Sequence, residues 1–187
     1  EGPLGGVRGA QAGAAVIKSE PRHGGPVRRR TQGSGASVPL AMLNANKRGV
    51  TLDLKHRDGK RLLCDMVRRA DVLIENFAPG VMDRLELGFE RLRGINPRLV
   101  YASGTGYGLS GPDRDNLAMD LTVQAYSGMM SVTGFADRAP VKAGPAVADF
   151  MSGTHLYAAI VTALLQRERT GEGRLVEVSM QEAVYPS

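Results

Sequence analysis

The chain has 187 residues, 42% of them hydrophobic and 23% charged, which suffices for one domain with a real core and excludes a chain disordered by composition. A net charge of +5 suits an anionic partner, while the lack of Trp and the 5% aromatic content leave few stacking surfaces for single-stranded nucleic acid. The single cysteine, Cys64, excludes an internal disulfide framework and most thiolate metal sites; no run approaches the length of a membrane span, and no signal-peptide pattern is evident.

Glu1 to Ala14 is rich in Gly and Ala and shows no clear period. Ala15-Val16-Ile17 is a short strand candidate that runs into Lys18-Ser19-Glu20-Pro21. Residues 21–43 read as an exposed basic loop around Arg28-Arg29-Arg30. Such a run can grip phosphate, and is more often a solvated surface. Asn44 to Gly49 reads as a polar turn, and Val50 to Lys55, alternating with period two, as a strand.

A helix is predicted to open at Asp58-Gly59, with Leu62, Leu63, Met66, Val67 and Ala70 as its apolar stripe. Cys64 falls inside that pattern and reads as packing. Val72-Leu73-Ile74 is too apolar for a half-exposed strand and reads as a buried parallel one. Pro79 suits the first turn of a short helix carrying Met82 to Leu85. Phe89 to Ile95 forms another helix, and Leu99 to Ser103 the next strand. Strands alternating with helices predict βαβ units and a parallel sheet.

Gly106, Gly108 and Gly111 then match G-x-G-x-x-G. A dinucleotide fingerprint also needs a helix opening at once and an acid about 20 residues on, after a second strand. Here Pro112 to Asn116 is loop-like and a helical pattern follows, which tells against NAD. Leu117 to Met130 reads as helix, Ser131 to Pro145 as loop, and Leu175 to Ser179 as a last strand.

Between them, an apolar run ends on Asp149, and a helical pattern begins at Phe150 and continues to about Thr170, with Gly171 as its stop. A carboxylate there sits at a helix mouth, near backbone N–H groups that favour its ionised form. Two roles are open: an N-cap, the commoner fate of such an Asp, or a carboxylate that accepts hydrogen bonds or attacks an electrophile. His155, on the same helix and without a partner His, reads as packing.

Several segments in series resemble the class III coenzyme A transferases, the formyl-CoA and carnitine CoA-transferase family of CaiB/BaiF type. They are Gly13 to Glu20; Asn46-Lys47-Arg48 with Leu52 to Lys55; Ala70 to Gly80; Asn96-Pro97-Arg98 with Ser103 to Pro112; Gln124 to Gly128; and Val147 to Gly153 with Thr170 to Gly173. The resemblance covers residues 13–187. It implies an α/β fold, a Rossmann-like parallel sheet flanked by helices, forming part of a CoA-transferase's large domain. Residues 1–43 would be a shortened N-terminal segment and basic loop, and 44–187 a CoA-binding and catalytic domain incomplete at its C-terminus.

By the same resemblance Asp149 aligns with the catalytic aspartate, which forms anhydride and aspartyl-CoA thioester intermediates. Coenzyme A contacts would fall on Leu52, Asp53, Leu54 and Lys55, on Asn76, Phe77 and Ala78, and on Arg84. Lys55 and Arg84 would meet phosphates; Leu52 and Phe77 would pack near the adenine, although ordinary core packing competes for both. Asp120 is placed to orient its loop or to be a plain helix acid. Coenzyme A is expected as a substrate, with no permanent cofactor and no metal. The expected partners are an acyl-CoA and a carboxylic acid, with no nucleic acid and no membrane. A homodimer is expected for the full-length form, and the cytoplasm as location.

The family's opening is kept in Gly2 to Arg8, after which a strand, a loop and a helix are expected to be missing. Two alternatives stand beside transfer. One is an acyl-CoA racemase or epimerase, which needs acid/base groups flanking an α-carbon; relatives of that kind place a His where this chain has Met119, which tells against it. The other is a non-catalytic CoA-binding or interaction fragment.

Overall fold

The computed structural model describes residues 2–25 and 37–185, so the Arg28–Arg30 run lies outside the described residues. A helix α1 (Gly2–Gln11) leads into strand β1 (Val16–Glu20), and helix α2 (Val38–Asn44) into β2 (Lys47–Thr51). Then come α3 (Arg57–Val67), β3 (Val72–Glu75), the short α4 (Val81–Arg84), α5 (Phe89–Ile95) and β4 (Val100–Thr105). Helix α6 (Asp120–Tyr126) and a 3-10 turn at Met129–Val132 precede the long α7 (Val147–Thr170), β5 (Leu175–Ser179) and α8 (Met180–Val184).

All strand pairings are parallel, as the alternation of strands and helices predicts, but they form two sheets among the described residues: β1-β2, and β3-β4-β5 with β4 central. The register sets Val72 beside Val100 and Tyr101 beside Leu175. Every residue of β4 is buried. Its side chains alternate between two cores. Tyr101 packs with Val67, Leu87, Leu92 and Leu99 on the α3–α5 side, where Phe89 meets it edge-on at 6.0 Å. Ala102 packs on the other side with Leu156 and Ile160 of α7. A third cluster, Val123, Ala148, Met180 and Val184, ties α6, α7 and α8 together.

Helix α7 is long and apolar enough to cross a bilayer by length and composition, contrary to the expectation that no run would reach that length. It lies instead against β4, β5, α1 and α8. Its far end is fastened by Arg167, only 8% exposed, whose guanidinium donates to Asp71 Oδ1 at 2.9 Å and to the Arg98 carbonyl at 3.2 Å. Gly171, with φ at 78°, closes the helix.

Three local expectations are corrected. The Gly- and Ala-rich start is a helix, because Leu4, Val7 and Ala10 bury one face; tertiary burial overrides weak propensity. The helix therefore stands directly before β1, where the loss of a helix was expected. Strand β2 runs over Lys47–Thr51, so it starts three residues and ends four residues earlier than the expected Val50 to Lys55. Asp53 ends it by turning: its carboxylate accepts from Lys55 N at 2.9 Å and its carbonyl from His56 N at 3.1 Å. Gly59 packs so closely on the Asp53 carbonyl that a Cβ there would collide with it. Finally, the pattern from Leu117 to Met130 yields a helix only over Asp120–Tyr126, since Gly128 at φ 83° breaks it.

Candidate active site

A cleft of about 590 Å³ opens where the ends of β3 and β4 meet the start of α7. Asp149 lines it, and so do Asn76, Phe77 and Ala78 from the loop after β3. These are four of the residues singled out from the sequence. The other five lie outside its lining. Leu52 is 7% exposed and Leu54 packs on the α3–α5 core, so both side chains are core. Asp53, Lys55 and Arg84 are exposed, with Arg84 on α4, directly after the 76–80 loop.

The loop after β3 is held from below. Asn76 Nδ2 donates to the Gly104 carbonyl at 2.8 Å, crossing from β3 to β4. Phe77 N donates to Glu75 Oε2 at 2.9 Å, and burial pushes the Glu75 carboxyl above its usual range. Phe77 itself is 46% exposed, so it is a cleft wall and not core. On the β4 side, Gly106 abuts Ala118 so tightly that a Cβ at Gly106 would collide with that of Ala118. No helix opens at the glycine loop, and its Leu109 N donates to Glu177 of β5. The motif is thus a strand-end turn beside the cleft, consistent with the argument against a dinucleotide fingerprint.

Asp149 is not the N-cap. Ala146 holds that place and offers no side-chain bond, while Asp149 is the third residue of α7. The cap comes from Asp120. Its Oδ1 accepts from Ala148 N at 2.9 Å and from Asp149 N at 3.3 Å. Its Oδ2 accepts from Gln124 Nε2 at 2.7 Å and pairs with Lys142 Nζ at 3.3 Å. The Asp120 side chain is 11% exposed and Gln124 is fully buried. Gln124 Oε1 also accepts from Ala143 N at 2.9 Å, and Lys142 reaches the carbonyls of Ala143, Gly144 and Pro145. Lys142 carried no sequence signal; it sits in a loop with no period, and only its contacts give it a role. Among the described residues no three His, Cys, Asp or Glu side chains converge as metal ligands.

A parallel α/β fold with a half-buried aspartate at the mouth of a core helix, facing a strand-end loop, defines a class of carboxylate-bearing ligand clefts. Comparison with known proteins narrows the class. The profile of CoA-transferase family III matches residues 1–186, and the chain belongs to that family. It is 44% identical over 181 residues to a formyl-CoA:oxalate CoA-transferase of Streptomyces avermitilis, covering 94% of this chain and 43% of that protein. It is 43% identical to an acetyl-CoA:oxalate CoA-transferase of Acetobacter aceti, covering 96% and 47%. The chain thus spans less than half the length of these curated relatives.

Among solved structures, a CAIB/BAIF family protein from Brucella suis superposes with a TM-score of 0.93 at 35% identity, covering 98% of this chain and 50% of that one. The Rv3272 protein of Mycobacterium tuberculosis superposes with a TM-score of 0.90 at 36% identity, covering 98% and 52%. Helix α1 and the cleft both fall within a match of that extent.

Proposed function

We propose that this chain carries the nucleophile and part of the coenzyme A site of an enzyme that moves coenzyme A from an acyl-CoA to a free carboxylic acid. The observation that carries the reading is the placement of Asp149 in one cleft with Asn76, Phe77 and Ala78.

In this reading the Asp149 carboxylate attacks the thioester carbonyl. A C–O bond forms, the C–S bond breaks, and a mixed anhydride and CoA thiolate result. The thiolate attacks the Asp149 carbonyl of the anhydride, releasing the first acid and leaving an aspartyl-CoA thioester. The acceptor carboxylate then attacks that thioester, and the expelled thiolate takes the acceptor's acyl group as the new thioester. Asp149 returns as a carboxylate, and charge balances with no net proton change. The exchange is split into easier steps through a covalent enzyme intermediate. Coenzyme A is a substrate here, and no resident cofactor is invoked. Its negative charge suits the +5 balance of the chain, with Lys55 and Arg84 beyond the cleft for phosphates and the Phe77 ring for the adenine.

Met119 lines the cleft, 67% exposed, where racemase relatives are expected to carry a His. It has no proton to exchange, which favours transfer over α-carbon chemistry. The test is to incubate the chain with an acyl-CoA and a carboxylic acid and to search the peptide containing Asp149 for a covalent CoA adduct by mass spectrometry. An adduct that disappears in Asp149→Asn is expected. Full exchange activity in that variant would sink the reading, and deuterium wash-in at the α-carbon would redirect it to racemisation.

A further inference from the structure

The first turn of a helix presents N–H groups with no partner inside the helix. A carboxylate at the third position is well placed to fold back and take them, as capping carboxylates do. An aspartate that did so would be held against the backbone and would present less of its charge to a substrate. In α7 that competition is settled by another residue. Asp120, 28 and 29 residues earlier, takes the N–H groups of Ala148 and of Asp149 itself on one oxygen. Its other oxygen is pinned by buried Gln124 and by Lys142. Gln124 is in turn fixed by Ala143 N, so α6, the 142–145 loop and the start of α7 are tied through one carboxylate.

We infer that Asp120 is the positioning residue of this site: by occupying the donors at the start of α7, it keeps the Asp149 carboxylate directed into the cleft. The inference rests on Asp149 being the nucleophile. Asp120 also lines the cleft, but with one oxygen on backbone N–H groups and the other on Gln124 and Lys142 it acts through α7 and not on the substrate. The choice of donors and acceptors is specific. Asp120 must accept on both oxygens, because backbone N–H groups face one and the Gln124 amide and the Lys142 ammonium face the other. An Asn at this place would set its own NH₂ against those two donors.

The experiment measures three things on the chain: the rate at which an acyl-CoA acylates Asp149, the affinity for coenzyme A, and amide hydrogen exchange at Ala148 and Asp149. Asp120→Asn is expected to slow acylation on the order of 10–100-fold, the cost of misplacing a reacting group by about an ångström. Because Asp120 lines the cleft, coenzyme A affinity is read separately and should fall far less than acylation, by about threefold at most. In Asp120→Ala both amides should exchange more than about tenfold faster, because their acceptor is gone. The double variant Asp120→Asn/Gln124→Glu restores an acceptor opposite the new amide and still receives Ala143 N; it is expected to recover acylation to within about threefold of the parent chain.

Unchanged acylation in Asp120→Asn overturns the inference, and so does a double variant no faster than the single one. A parent chain that forms no adduct at all overturns the nucleophile reading and this inference with it. That outcome differs from the first two, in which the parent chain acylates normally.

Discussion

Helices α3 and α8 start on caps supplied by their own neighbours, whereas α7 starts on a cap supplied from another element. His56 Nδ1 accepts from Asp58 N at 3.2 Å, and Ser179 Oγ accepts from Glu182 N at 3.2 Å. Each is a local bond that forms with its helix. Asp120 caps α7 across 28 residues, and it does so only when α6, the 142–145 loop and α7 have all come together. A local cap stabilises a helix and nothing else. A distant cap makes the start of the helix report on the assembled site.

This contrast can be broken at several points. The largest effect is expected from Asp149→Asn, which should abolish adduct formation while the melting temperature stays within about 2 °C, because the cap does not depend on this side chain. Gln124→Leu should cost about 1–3 kcal/mol in urea unfolding, since it strips a fully buried partner from Asp120 and from Ala143 N. Gly106→Ala should cost about 1–3 kcal/mol by overpacking against Ala118, and should weaken coenzyme A binding measured by calorimetry, as the wall of the cleft shifts. Ser179→Ala should cost only about 1 kcal/mol and leave the acylation rate of Asp149 unchanged; a lower rate would erase the distinction between local and distant caps.

A last effect, confined to alkaline pH, concerns another distant tie, Lys47 Nζ donating to the Pro3 carbonyl at 2.6 Å between β2 and α1. Burial, with Lys18 beside it, pulls Lys47 down to about 8 from 10.5. Between those values the unfolded chain binds more protons than the folded one, so this residue's contribution to stability should rise with pH there. Below about pH 8 the full penalty of burying the charge is present. Unfolding titrations of Lys47→Met should lose that slope.

Much of the fold was legible because it is written in short-range pattern. The apolar run at Val72–Ile74, the Phe89–Ile95 turn before Asn96-Pro97, and the alternation at Leu175–Ser179 all form where their residues predict. Helix α1 was not legible, because glycines hide it: Gly5 and Gly6 let it lie close to α7 and Lys47, a benefit that no local propensity records. The start of β2 was displaced because Leu52 and Leu54 continue the period-two pattern, yet serve the core beyond a turn that Asp53 makes. At the site, Asp149 was legible as an acid at a helix start, but its place as third residue and not as cap was not. That depends on Asp120, 29 residues earlier, and on Lys142 in a loop without a period, both ordinary in local context.

In the proposed function helix α7 also acts as a lever. Asp149 stands near one end and Arg167 is bolted to Asp71 and Arg98 at the other. Eighteen residues of helix separate them, roughly 27 Å of stiff rod. A tilt of about 3° at the bolted end would swing Asp149 by about 1.4 Å, a distance that matters for attack on a carbonyl. In the proposed function the aim of Asp149 is therefore set partly at the opposite end of the strands, where β3 and β4 begin. Loosening Arg167 would blur it without altering one atom of the cleft.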